Sequence, residues 1–83
     1  MTEKDVINET IRVLKESTET EIEVTEETRL YEDIGISSVE AMILLSDLED
    51  RFGVDIPTIK LRNIEKVGEL GRLVIEILRA GMK

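Results

Sequence analysis

Two adjacent serines, Ser37 and Ser38, are the residues of this chain whose type and setting could do chemistry. They stand just after Gly35 and before Glu40, and the spacing Ser37-x-x-Glu40 reads as a capping box that opens a helix. Ser37 is then the helix N-cap and Ser38 the first helical residue. A hydroxyl in that place faces free N–H groups and the positive end of the helix dipole, which together favour negative charge. The plainer reading is that serine is common at helix starts. One cap suffices, so capping explains Ser37 and leaves Ser38 without a task. On residue types alone, a structural role for Ser38 still comes first.

The rest of the composition narrows the chemistry by subtraction. Cysteine and histidine are both absent. Thiol catalysis by the chain itself and disulfides are excluded, and the usual zinc ligands and the commonest general base are missing. No stretch carries the spaced Asp/Asn pattern with a central glycine and terminal glutamate of a calcium loop, so no metal site is expected. A catalyst working alone is not the expectation here. With a net charge of -8, phosphate backbones and anionic bilayers are repelled, and the chain is steered toward basic protein surfaces. Tyr31 and Phe52 are the only aromatics, too few for base stacking, so nucleic acid is not an expected partner. The N-terminal stretch Met1 to Thr10 lacks a signal-peptide pattern, and no apolar run is long enough to span a bilayer. The expectation is a cytoplasmic monomer with no stable membrane insertion, and a single domain over residues 1–83.

The elements that must position Ser38 follow from apolar periodicity. Val6, Ile7, Ile11 and Leu14 mark a first amphipathic helix, opened by Thr2 and Asp5 as a capping box and ending near Ser17. Residues 18–36 form a long connection, pinned by Ile22, Val24, Leu30 and Ile34. Ile22 to Thr25 alternates like a strand, but four isolated residues have nothing to pair with, so an extended loop is expected. The second helix runs from Ser38 to about Phe52 and stops at Gly53. Val54 to Pro57 is extended, since residues before proline avoid the helical region. Thr58 is expected to cap a short turn over 59–62. A last helix over about 65–80 carries Val67, Leu70, Val74, Ile77 and Leu78 on one stripe, with Gly68 and Gly71 allowing close packing and Gly81 ending it. The fold class is all-α: three main helices, one short helix, and a long loop between helices one and two.

The second helix carries two apolar faces when residues are placed about 100° apart. Ala41, Leu44, Leu45, Leu48 and Phe52 form a wide core stripe. Val39 and Ile43, with Met42 and Ser46, form a second patch ringed by Glu40, Asp47, Glu49 and Asp50. A bundle burying this helix on two sides would explain that pattern. A partner-docking surface through Val39, Glu40, Met42, Ile43, Asp47 and Asp50 explains its place directly after Ser38.

The segment Asp33 to Ala41, reading Asp-Ile-Gly-Ile-Ser-Ser-Val-Glu-Ala, resembles the signature of acyl carrier proteins. Leu48 to Pro57 is similar to that family's helix end and following turn, and Val24 to Leu30 to the loop before its signature. The resemblance covers essentially the whole chain in the expected order. It implies an acyl-carrier-like bundle with 4′-phosphopantetheine, taken from coenzyme A, esterified to Ser38. It implies a carrier rather than an enzyme, tethering acyl groups as thioesters for fatty acid, polyketide or related lipid biosynthesis. The implied partners are a phosphopantetheinyl transferase, acyl-transferring or ligating enzymes and ketosynthases. A peptidyl or aminoacyl carrier, or an unmodified interaction module of the same fold, are the alternatives. The family usually has Asp at the position of Ser37 and an acid at that of Ile43, and an acidic short helix where Lys60 and Arg62 stand. These departures point to a specialised carrier with a more apolar partner contact.

Overall fold

The computed structural model describes residues Thr2 to Gly81. Among them four α-helices follow in order: α1 over Glu3–Thr18, α2 over Ser38–Phe52, α3 over Thr58–Leu61 and α4 over Val67–Ala80. The all-α expectation holds, as does the long α1–α2 loop.

Local chemistry opens α1 and closes α2 and α4. Thr2 accepts the amide of Asp5 at 3.1 Å, and the Asp5 carboxylate accepts the amide of Thr2 at 3.1 Å. The Thr2 amide, and after it the Thr2 hydroxyl, hold the Asp5 carboxyl below its ordinary range. Gly53 and Gly81 close α2 and α4 in the left-handed region, at φ 66° and 69°, which only glycine adopts without strain. Two boundaries differ from expectation. Thr58 is the first residue of α3 rather than its cap, and α4 starts at Val67, where the Glu69 carboxylate accepts the amides of Glu65 and Lys66 at 2.8 and 3.1 Å.

Long-range pairs fix the helix directions. Arg51, near the end of α2, reaches Glu9 and Glu16 on α1, and Arg79, near the end of α4, reaches Glu3 at the start of α1. Asp47, one turn earlier on α2, meets Ser17 at the end of α1, so α1 runs antiparallel to both others, and α2 and α4 begin at the same end of the bundle. A Cβ on Gly71 would lie 2.9 Å from Ile7 Cγ1, so α1 and α4 cross as closely as the missing side chain permits. The core between them includes the fully buried Leu14, Leu30, Leu44, Leu48 and Leu70. Each such leucine contributes about 1.5–3 kcal/mol by leaving water. The buried hydroxyl of Thr10 donates to the Val6 carbonyl at 2.8 Å, so it is not an orphan.

The connection before α2 is more ordered than a plain loop. Leu30 donates to the Glu65 carbonyl at 2.8 Å, Val67 to Thr28 at 2.9 Å and Gly68 to Glu26 at 2.9 Å, a short antiparallel ladder onto the start of α4. Gly68 allows it, because a Cβ there would press on the Glu26 carbonyl at 3.1 Å. Leu30–Ile34 then wind one turn of π-helix. Val24, Leu30 and Ile34 do reach the core, but Ile22 does not: it is 42% exposed. Ile22 stands four residues before the ladder, its amide reaching the Thr20 hydroxyl at 3.5 Å, while Val24, two residues nearer, turns inward.

Candidate functional site

The site is built from the π-turn outward. The Arg29 carbonyl accepts from Asp33 and Ile34, both at 3.1 Å, and the Leu30 carbonyl accepts from Gly35 and Ile36. Gly35 takes φ 73°, turning the chain so that Ile36 is buried and Ser37 emerges extended. Leu30 itself is fully buried and tied to Glu65, so the turn is anchored in the core.

Ser37 and Glu40 close the capping box in both directions. The Ser37 hydroxyl accepts the Glu40 amide at 3.1 Å, and the Glu40 carboxylate accepts the Ser37 amide at 3.0 Å. Ala41 donates back to the Ser37 carbonyl at 2.9 Å. Ser38 is the first residue of α2 and is exposed. Among the described residues, its hydroxyl and the amides of Ser38 and Val39 have no hydrogen-bond partner. An exposed hydroxyl beside two free amides at the positive end of a fifteen-residue helix suits a phosphate ester, with room for an enzyme to reach it.

The second face of α2 is apolar and open. Val39 is 69% exposed, Met42 52% and Ile43 46%, directly beside Ser38. Residues at 41, 44, 45 and 48 are buried, so two-sided burial does not explain the outer patch. The acidic rim divides. Asp50 is exposed, whereas Glu40 is half-buried and holds the Ser37 amide. Asp47 accepts the Ser17 hydroxyl at 2.5 Å and lines a cleft of about 390 Å³ with Val13, Glu16, Asp50 and Arg51. Glu49 takes the Ile56 amide at 2.7 Å, fastening the chain after α2. On the short α3, Ile59 is 68% exposed and stands next to the exposed Lys60.

Two features of the site escaped the sequence. The Asp33 carboxylate accepts the Arg29 amide at 2.9 Å and braces the π-turn from its exposed side. The loop-to-α4 ladder is reinforced by Lys66 with Glu27 at 2.9 Å and Arg72 with Glu26 at 3.5 Å. The first pair raises the Lys66 pKa and lowers that of Glu27. The spacing of Arg29 and Asp33 was a visible signal for the brace; nothing local marked the ladder.

A family model described as a phosphopantetheine attachment site matches residues 5–74. The chain is similar to an acyl carrier protein of Wolinella succinogenes, 32% identical over 71 residues and covering 86% of each chain. It is similar to one of Saccharopolyspora erythraea, 36% identical over 56 residues, 68% of this chain and 59% of that one. To one of Thermotoga maritima it is 38% identical over 50 residues, covering 60% of this chain and 62% of the relative. The chain thus spans about three fifths of the length of the last two relatives. Among the described residues, no helix is long and apolar enough to cross a membrane. With the family model matched from before the middle of α1 to the middle of α4, across Ser38 and the whole of α2, the chain belongs to the phosphopantetheine attachment site family, among the acyl carrier proteins.

Proposed function

We propose that this chain is a carrier whose 4′-phosphopantetheine arm is attached at Ser38, and that it catalyses nothing itself. The observation that carries the reading is the pair of serines at the start of α2. The hydroxyl of Ser37 is spent on the Glu40 amide, while that of Ser38 is exposed and unpartnered among the described residues. The Ser38 oxygen would attack the pyrophosphate of coenzyme A on a phosphopantetheinyl transferase. Its proton passes to that enzyme and adenosine 3′,5′-bisphosphate leaves. The free amides of Ser38 and Val39 and the helix dipole then stabilise the ester's negative charge.

The arm supplies a thiol to a chain that has none. Acyl groups carried as thioesters are the cargo, and partner enzymes such as ketosynthases and acyl-transferring or ligating enzymes are recognised by the open face of α2. Val39, Met42 and Ile43 give that face its contact area, and Asp50 adds an exposed charge to it. Residues 1–83 act as one carrier domain in the cytoplasm, as a monomer.

Intact mass after incubation with coenzyme A and a broad-specificity phosphopantetheinyl transferase tests the attachment. One pantetheinyl increment in the wild type and in Ser37→Ala, and none in Ser38→Ala, is the expected result. A folded wild type that gains no mass with several transferases would leave an unmodified docking module of the same fold.

A further inference from the structure

We infer that Asp33 is a positioning residue for Ser38, an inference that rests on the attachment reading above. Upstream of Ser38 the chain meets the core by a short path through Leu30, the π-turn, Gly35, Ile36 and Ser37; downstream it does so at Ala41, the first buried residue of α2. Leu30 and Ile36 are held by burial, and the Leu30 carbonyl holds the amides of Gly35 and Ile36. Among the described residues, Glu32 pairs only with the exposed Arg29 guanidinium. The Asp33 side chain closes the turn on its backbone, its carboxylate accepting the Arg29 amide at 2.9 Å while the Asp33 amide donates to the Arg29 carbonyl at 3.1 Å. This reciprocal pair sets the pitch of the turn and so the place where Ser37 leaves it. Ser37 in turn starts the helix whose first residue presents the hydroxyl.

The alternative task for an exposed acid beside the site is to attract a basic partner. The two tasks call for different atoms. Bracing needs an accepting oxygen at position 33; attraction needs the negative charge. Asp33→Asn keeps the oxygen and removes the charge, and Asp33→Ala removes both. Neither touches the core, because Asp33 is exposed.

Transfer of the arm from coenzyme A by one transferase would be followed for wild type, Asp33→Asn and Asp33→Ala, with melting temperatures and ¹H–¹⁵N spectra on the same samples. The expected result for Asp33→Ala is a kcat lower by roughly tenfold or more with KM little changed, since misplacing a reacting group is costly. Its amide shifts should move at Gly35 to Ser38. Asp33→Asn should return kcat to within about threefold of the wild type, the neutral hydrogen bond being weaker than the charged one. Equal kcat in all three proteins overturns the inference while leaving the attachment at Ser38 intact. A rise in KM shared by both variants also overturns it, in favour of charge attraction. A fall in melting temperature for Asp33→Ala without a change in kcat makes the brace merely structural. A wild type that is never modified removes the attachment reading and this inference with it.

Discussion

Ser37 and Glu40 exchange hydrogen bonds at 3.0 and 3.1 Å, each side chain holding the other's amide. The pair satisfies two donors at the start of α2 without using the residue between the cap and the first buried turn. Ser38 is therefore spared both capping and packing, and its hydroxyl faces solvent. The same pairing withdraws Glu40 from the acidic rim of the docking face.

Removing the cap should cost stability and leave the modified residue unchanged. Ser37→Ala is expected to lower unfolding free energy by about 1 kcal/mol. Urea denaturation measures this, and the variant should still accept the arm. A loss of modification despite a folded protein would shift the attachment to Ser37.

The close approach at Gly71 predicts a penalty for the smallest added side chain. Gly71→Ala gains about 1 kcal/mol of helix propensity but drives a Cβ to 2.9 Å from Ile7 Cγ1. Overpacking of this kind typically costs about 1–3 kcal/mol, so a net loss is expected by thermal melting. Adding Ile7→Ala should relieve the clash, so that the double variant loses less than the sum of the two singles.

Neighbouring residues on α2 should respond oppositely to truncation. Leu44 has no exposed surface, and Leu44→Ala is expected to cost about 2–5 kcal/mol. Ile43 is 46% exposed, and Ile43→Ser should stay within about 0.5 kcal/mol of the wild type. Ile43→Ser should instead raise the KM of the chain as a transferase substrate. An unchanged KM would remove Ile43 from the docking surface.

Acid should expose the role of Glu69. Its carboxyl lies below the ordinary range, first because the Glu65 amide donates to it, then the Lys66 amide. A depressed carboxyl contributes stability above its unfolded pKa and loses that contribution as pH falls through the lower folded value. The difference in melting temperature between wild type and Glu69→Gln should therefore be full at neutral pH. It should shrink as pH drops from about 4.3, where a free glutamate titrates. A difference independent of pH would mean that the carboxylate's charge plays no part at this helix start.

The legible parts of the fold were those decided within one turn of chain. The Thr2–Asp5 and Ser37–Glu40 boxes join residues three apart, and the stops at Gly53 and Gly81 need only a left-handed residue. The core stripe of α2 was equally readable, because helical periodicity alone puts 41, 44, 45 and 48 on one side. Less legible was the 18–36 connection. Its ladder pairs Thr28 and Leu30 with Val67 and Glu65, residues more than thirty positions away, and no local pattern announces such a partner. The exposure of Ile22 has the same origin: apolar character suggests burial, and only the path of the loop leaves it outside.

By itself, then, the sequence determined the helices, the N-caps of α1 and α2 and the serine at the head of α2, since these rest on propensity and on hydrogen bonds between near neighbours. Tertiary structure decided which charges are free to act. Glu40, Asp47, Glu49 and Asp50 look alike along the chain. Folding engages Asp47 with Ser17 of α1 and Glu49 with Ile56, and leaves Asp50 exposed. A carboxylate's availability depends on which donors the fold brings within about 3 Å of it, and most of those donors belong to other elements.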